Sequence, residues 1–481
     1  MRIRNVLSIL GSLYISLGAM LIVPLIISII NTDRTSTSFL ITILISVITG
    51  ILLQIRKPKK IIIEKRESVG IIVFGWITVS LIGALPFYLS GYFNSFLDAF
   101  FESVSGFTTT GASILEDIEA LPVSILVWRS LTHWIGGMGI IILALVVLPV
   151  INVGSRNLYN FESSSIAQEQ ITPKIKDTAR LLWTVYLILT VSLTVLLLLG
   201  GLSFFDASLT AMGTIPTGGF SPRNSSIAAY NSLYVEIIVA VFMILSGINF
   251  SLYFMLFKKK KNVAKFSEVV KFYLILMGCA ILIVVINLRL YTYKSWGEAF
   301  RYGIFQVVSI NTTSGFVTAD YEKWQPFTQI VLIILMFIGA CPGSTTGAIK
   351  NSRIILLGKS IYRELIQLIH PRVVTTLQLN SKTIDEKTVR NVLVFISMYL
   401  SFFFIATLLM LFTNIDIETS IFSVATTLGG VGPGLGITGP MESYALLPAF
   451  NKTILIACML FGRLEFYSIF LIFVPNFWRK A

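Results

Sequence analysis

Four short stretches of small, uncharged residues, each closed by glycine, stand out: Thr108-Thr109-Thr110-Gly111, Ile215-Pro216-Thr217-Gly218, Thr312-Thr313-Ser314-Gly315 and Gly429-Gly430-Val431-Gly432. Each lies between one long apolar run and the next, at comparable intervals along the chain. What such residues offer is backbone. A potassium ion needs carbonyl oxygens in place of its water shell, and small or glycine residues let carbonyls point inward. Four such stretches in one polypeptide predict a single filter with internal fourfold pseudo-symmetry and K+ at its residues. The implied chemistry is cation passage.

A fifth stretch, residues 339–348, reads Gly-Ala-Cys-Pro-Gly-Ser-Thr-Thr-Gly-Ala and is followed by Lys350. Its glycines and proline cannot hold a regular helix, and irregular backbone at membrane depth persists only beside a water-filled cavity or inside protein. Residues Gly343, Ser344, Thr345, Thr346 and Gly347 are therefore expected as a constriction beneath the filter. The stretch is no nucleotide loop, because Ala348 follows Gly347 where a Gly-Lys-Ser/Thr core is required. Gly432-Pro433-Gly434-Leu435-Gly436 is no dinucleotide motif either, since no strand precedes it. Arg463 stands within the last apolar run. A charge there costs at least ~2.5–3.5 kcal/mol on insertion scales, so it should face the cavity and a partner. Glu465 is too near in sequence to share its helix face. Arg129 is expected to pair with Glu102 or a neighbouring carboxylate. His133 is expected to be hydrogen-bonded rather than a ligand or proton relay.

The elements that must position these residues follow from hydropathy. The chain of 481 residues is 55% hydrophobic and 13% charged, far too apolar for a soluble protein. Runs of spanning length occur near 5–30, 37–55, 69–91, 122–150, 181–203, 231–257, 269–289, 326–348, 389–413 and 450–475. The expectation is an all-α integral membrane protein of ten spans. Most of the 37 lysines and arginines fall in 1–4, 56–67, 153–180, 258–271, 350–390 and 476–481. The positive-inside rule thus places both termini in the cytoplasm, and the net charge of +13 faces anionic lipid rather than nucleic acid. Arg2 and Arg4 before an apolar run imitate a secretory leader, but the run reaches Ile30 and reads as a retained helix. Cys279, Cys341 and Cys458 all lie in apolar runs, and no disulfide framework is implied.

The stretches align backwards from their glycines. Ten residues before stand Phe101, Ser208, Phe305 and Phe422; six before stand Ser105, Met212, Ser309 and Thr426. The unit is span, half-helix, filter, span, four times over. Its divisions are 67–152, 180–258, 267–350 with the loop 339–348, and 389–481. Residues 1–66 supply two extra spans and 351–388 a cytoplasmic segment, with a helix expected at 354–370. Each half-helix points its negative C-terminal end at the ion. Asp98, Asp206, Glu298 and Asp416/Glu418 at the half-helix starts read as end charges and as an outer cation funnel.

With these residues in hand, the chain resembles the Trk/Ktr/HKT superfamily of potassium transporters, nearest its bacterial TrkH branch. The resemblance covers essentially the whole chain. It rests on Ser105 to Ala112, Trp134-Ile135-Gly136-Gly137-Met138-Gly139, Thr217 to Ser221, Asn311 to Phe316, Gly343 to Lys350, Gly432 to Gly436 and Gly462 to Glu465. It implies potassium uptake across the inner membrane through a homodimer with one pore per protomer, gated by a cytosolic nucleotide-binding ring of the RCK type. No covalent cofactor is implied. Lys350 with the glycine loop matches the family's intramembrane gate, and Arg463 matches its arginine beneath the filter. Pro216, Gly429 and Gly430 depart from the family pattern at positions that bear on potassium-over-sodium discrimination. Two other classes share features with this chain: the ion-conducting subunit of a potassium-pumping ATPase, which would need a P-type ATPase partner, and a sodium- or proton-coupled symporter. The latter predicts two inverted repeats and buried carboxylates on its spans.

Overall fold

The computed structural model describes residues 2–55, 58, 63–139, 175–257, 267–373, 375–380 and 382–478. Within them the regular structure is almost entirely helical. An apolar hairpin comes first: α1 (Ile3–Met20) continues almost directly into α2 (Ile22–Ile30), and α3 (Ser36–Gln54) returns beside α1. Small residues bring the two backbones close, Gly11 facing the Gly50 carbonyl and the Ser46 hydroxyl donating to Tyr14 O at 2.6 Å. Their outward faces carry exposed Ile22, Ile26, Leu44, Ile48 and Ile51, as lipid-facing helices do.

Four units follow. The first comprises α4 (Lys65–Leu89), the half-helix α5 (Phe96–Thr108) and α6 (Val123–Gly137). The second has α7 (Ile175–Leu199), half-helix α8 (Phe204–Thr214), α9 (Leu233–Ser246) and α10 (Phe250–Phe257). The third has α11 (Glu268–Tyr291), half-helix α12 (Trp296–Asn311) and α13 (Pro326–Ile338), after which α14 (Asn351–Ile369) leaves the core. A two-stranded ribbon pairing Gln378 with Thr383 leads to the fourth unit. That unit has α15 (Glu386–Leu411), half-helix α16 (Ile417–Gly429), α17 (Ala449–Leu464), α18 (Phe466–Phe473) and the short α19 (Pro475–Trp478).

Each half-helix begins at a side-chain cap. Ser95, Ser203, Ser295 and Asp416 accept from the backbone N–H of Asp98, Asp206, Gly297 and Thr419. Each ends after three to four turns because its next residues adopt positive φ or a turn, which the small residues of the glycine stretches allow.

Among the described residues, six helices are long and apolar enough to cross a membrane singly, α1 and α2 counted as one. Three of the remaining expected spans are interrupted. The run 231–257 breaks at Gly247–Asn249, and 326–348 is helical only to Ile338. The run 450–475 bends by 111° between α17 and α18. The break falls at Glu465, whose φ of 58° no helix accommodates. The expected helix at 354–370 is present as α14, burying Ile355 and Leu356 and exposing Leu365 and Leu368. The far end of the 122–150 run, most of 153–180 and most of 258–271 lie outside the described residues.

Ion pairs tie the units together within the apolar mass. Arg301 on α12 forms a fork with Glu236 on α9 at 2.7 and 2.8 Å, and Lys452 on α17 meets Asp98 on α5 at 2.7 Å. The expected pairing of Arg129 is present: its Nε donates to Glu102 Oε1 at 2.6 Å, both side chains being fully enclosed. Removing one member of such a pair strands the other charge, at about 3–5 kcal/mol. Arg129→Ala is therefore expected to lower the thermal midpoint of the purified protein markedly. An unshifted melting curve would show that the pair adds nothing to stability.

Candidate functional site

The four glycine stretches, far apart in sequence, come together in one ring. In each, one backbone N–H reaches back five residues into its half-helix: Thr110 to Ser105 O, Gly218 to Gly213 O, Ser314 to Ser309 O and Val431 to Thr426 O, at 3.0, 2.9, 2.8 and 2.9 Å. Two residues per stretch hold positive φ. The first are Thr109, Thr217, Thr313 and Gly430, at 56°, 55°, 54° and 72°; the second are Gly111, Gly219, Gly315 and Gly432, at 84°, 82°, 71° and 103°.

These bonds and dihedrals correct the register of the second stretch by one residue. Gly219, not Gly218, stands with Gly111, Gly315 and Gly432. The residue six before it is Gly213 rather than Met212, and the residue ten before is Leu209 rather than Ser208. The ring itself repeats the correction. A Cβ at Gly111 would meet Gly218 O, at Gly219 Ser314 O, at Gly315 Val431 O, and at Gly432 Thr110 O. Each second glycine thus abuts the carbonyl before the next second glycine, and the cycle closes on itself. Only glycine permits an approach of this kind at positive φ. Three β-branched threonines in the left-handed region are outliers that the surroundings must hold in place, and such strain gathers at functional sites.

The stretches are not chemically equivalent. Thr108 and Thr110 share a hydroxyl contact of 2.8 Å, and Thr312 and Ser314 one of 3.0 Å. The register partners of these pairs are Pro216 with Gly218 and Gly429 with Val431, which have no hydroxyls to share. Hydroxyl clasps therefore occur on opposite members of the ring.

Directly against the ring lies the irregular segment between α13 and α14. Thr345 donates through Oγ1 to Ile215 O at 3.1 Å and lies 3.3 Å from the Thr217 hydroxyl. The Gly347 N–H donates to Thr313 Oγ1 at 3.1 Å, and a Cβ at Gly347 would strike Gly429 O. The segment is pinned from behind by Cys341 N–H to Gly247 O and Phe250 N–H to Gly343 O, both at 3.1 Å. This explains why the second unit's last span is interrupted at Gly247–Asn249: the two breaks satisfy each other's backbone groups.

Arg463 completes the contact on the remaining side. Its guanidinium donates to Thr109 Oγ1 at 3.3 Å, to Thr345 O at 3.2 Å, to Gly137 O at 3.3 Å and to Gly136 O. Segment and arginine together touch all four stretches. Gly136 and Gly137 lack side chains where Phe107 O and Pro216 crowd α6, so their carbonyls lie open to the guanidinium. The partners it was expected to need thus include backbone carbonyls and the Thr109 hydroxyl. A cavity of about 130 Å³ sits here, lined by Gly343–Ala348, Asn249, Lys350, Arg463 and Glu465 among others.

Glu465 was not predicted as part of the site. The bend at its positive φ turns it away from Arg463 and toward Arg353 at 2.6 Å and Lys350 at 3.7 Å. It links the irregular segment to the start of α14. An acid two residues after an intramembrane arginine was the available signal, since neither is tolerated at that depth without a partner.

The outer acids divide into two kinds. Asp98 and Asp206 are buried and neutralised, by Lys452 at 2.7 Å and Arg223 at 2.8 Å. They anchor half-helices rather than form a funnel. Glu298, Asp416 and Glu418 are exposed at the starts of α12 and α16.

A family model described as TrkH, cation transport protein, matches residues 35–480. The chain belongs to the TrkH family. It is 35% identical to the Trk system potassium uptake protein TrkH of Salmonella typhimurium, over the full length of both chains. It is also 33% identical to the Trk system potassium uptake protein TrkG of Escherichia coli, over 95% of each. The crystal structure of the potassium transporter TrkH from Vibrio parahaemolyticus superposes with a TM-score of 0.89 at 33% identity, with full coverage of both chains. A family of transporters, not enzymes, thus claims the chain, and its apolar helices make it a multi-pass membrane protein.

Proposed function

We propose that this TrkH-family chain takes up potassium through the ring of four glycine stretches, across the inner membrane with both termini cytoplasmic. In this reading the four units are pore repeats of a ten-span protein, preceded by the α1–α3 hairpin. The second glycines and the residues before them form the selectivity filter. Four half-helices direct their negative C-terminal ends toward the ion. The observation that carries the reading is the cyclic contact in which each stretch's glycine abuts the next stretch's carbonyl. Such closure brings carbonyls from four quarters to one axis, as a desolvated cation requires. The names of the relatives, potassium uptake proteins in several organisms, agree with it.

The segment 339–348 and Arg463 are the gate: one narrows the passage, the other opposes a cation electrostatically. A homodimer with one pore per protomer, controlled by a cytosolic RCK-type nucleotide-binding ring, extends the reading. The basic α14 leaves the gate toward the cytoplasm and offers such a ring a handle.

Purified protein in liposomes tests the function. Potassium and rubidium gradients are expected to drive flux without ATP, and a sodium gradient much less. Flux that appears only with a P-type ATPase and ATP, or equal sodium flux, would replace this reading with another.

A further inference from the structure

His133, buried on α6, is used by none of the foregoing. Its ring stacks on Phe220 with centroids 3.8 Å apart and planes 11° from parallel. The Phe220 N–H lies 3.4 Å from its Nδ1, an acceptor. The Arg129 guanidinium lies 3.6 Å from the Phe220 centroid and donates to Ser221 O at 2.9 Å. Glu102, the partner of Arg129, in turn accepts from the Ser113 hydroxyl at 3.0 Å and the Ile114 N–H at 3.1 Å. One buried network therefore ties the backbone just after the first glycine stretch to that just after the second.

The corrected register gives this network a target. At the position before the second glycine, three stretches carry a side chain: Thr110, Ser314 and Val431. The fourth has Gly218. A Cβ built on Gly218 would fall against Nδ1, Cε1 and Cγ of His133. The imidazole thus occupies the space that a side chain fills in the other three stretches. The carbonyl of Gly218 is the one that closes on Gly111. Pro216, which stands where Thr108 and Thr312 stand, supplies neither N–H nor hydroxyl to hold it.

We propose that His133 is a positioning residue for ion selection, standing in for the missing side chain at Gly218 and, through Phe220, fixing the Gly218 carbonyl in the ring. The proposal deepens the potassium-filter reading and rests on it. Without the ring, Gly218 gains conformational freedom that its three counterparts lack. The change is expected in discrimination more than in conduction.

The test measures potassium and sodium flux through wild type, His133→Ala and His133→Ala/Gly218→Ser in liposomes. The potassium-to-sodium ratio is expected to fall about tenfold in His133→Ala, the scale of one lost hydrogen bond with its packing. It should recover substantially when serine at 218 refills the space. A merely structural histidine would lower expression or melting temperature without this second-site recovery. Should His133→Ala not fold, His133→Asn keeps an acceptor but loses the stack, and a reduced ratio is expected there also. An unchanged ratio in the folded variants, or no recovery in the double variant, overturns the proposal alone. Equal potassium and sodium flux through wild type would overturn the filter reading and this proposal with it.

Discussion

Gly219→Ala is expected to abolish selective potassium flux, whereas the cost of Gly218→Ala should be relieved by a second change. At Gly219, φ is 82° and the new methyl would run into the Ser314 carbonyl. A left-handed alanine costs roughly 1–2 kcal/mol by itself. The clash is with backbone, which cannot swing aside as a side chain can, so the neighbouring stretch must shift. Loss of potassium flux by well over tenfold is expected in protein that still reaches the membrane. At Gly218 the dihedral is ordinary and the obstacle is the His133 ring, so trimming His133 should make room. Rubidium uptake by cells lacking other potassium uptake, normalised to protein in the membrane, compares the two. If Gly219→Ala keeps wild-type uptake and selectivity, the second stretch is not in the register assigned here.

Arg463→Ala is expected to raise potassium flux and leave the potassium-to-sodium ratio unchanged. The guanidinium contacts the ring at Thr109 and lines the 130 Å³ cavity, on the exit path of the pore proposed above. A unit charge about 6 Å from a passing cation, at an effective dielectric of about 20, opposes it by about 3 kcal/mol. Each 1.4 kcal/mol is about a factor of ten, so an increase of one to two orders of magnitude in open-path flux is the ceiling. The variant also frees Thr345 O, which loosens the segment on that side. Arg463→Lys should fall between, since an ammonium keeps the charge but cannot fork to several acceptors at once. Shortening 343–347 should also raise flux in the absence of the proposed regulatory ring. Flux from Arg463→Ala and the shortened segment that stays at the wild-type level would place the barrier elsewhere.

Much of this was legible because membranes make sequence speak plainly. Lipid demands internally bonded backbone, so helix positions follow from apolar run length, and six long helices among the described residues fall where the runs are. The glycine stretches, the broken segment at 339–348 and the charge at Arg463 were visible for the same reason: each violates what an apolar helix tolerates. Arg129 with Glu102 was foreseen because a buried charge must find its opposite.

What the sequence could not determine were relations between distant segments. Gly218 and Gly219 are interchangeable in the sequence; the folded backbone distinguishes them, through the bond of Gly218 to Gly213 O, the positive φ of Gly219 and the carbonyl of Ser314, nearly a hundred residues on. Asp98 looked like a funnel acid because Lys452, its partner, lies at the opposite end of the chain. Arg463 has backbone acceptors that no side-chain pattern could announce, and Glu465 reaches Arg353 through a 111° bend. Local composition determines whether a residue can hold a helix, a turn or a positive φ. Which carbonyl or charge it then meets is decided by how distant segments close on one another, as the four glycine stretches do in their ring, and that requires the tertiary structure.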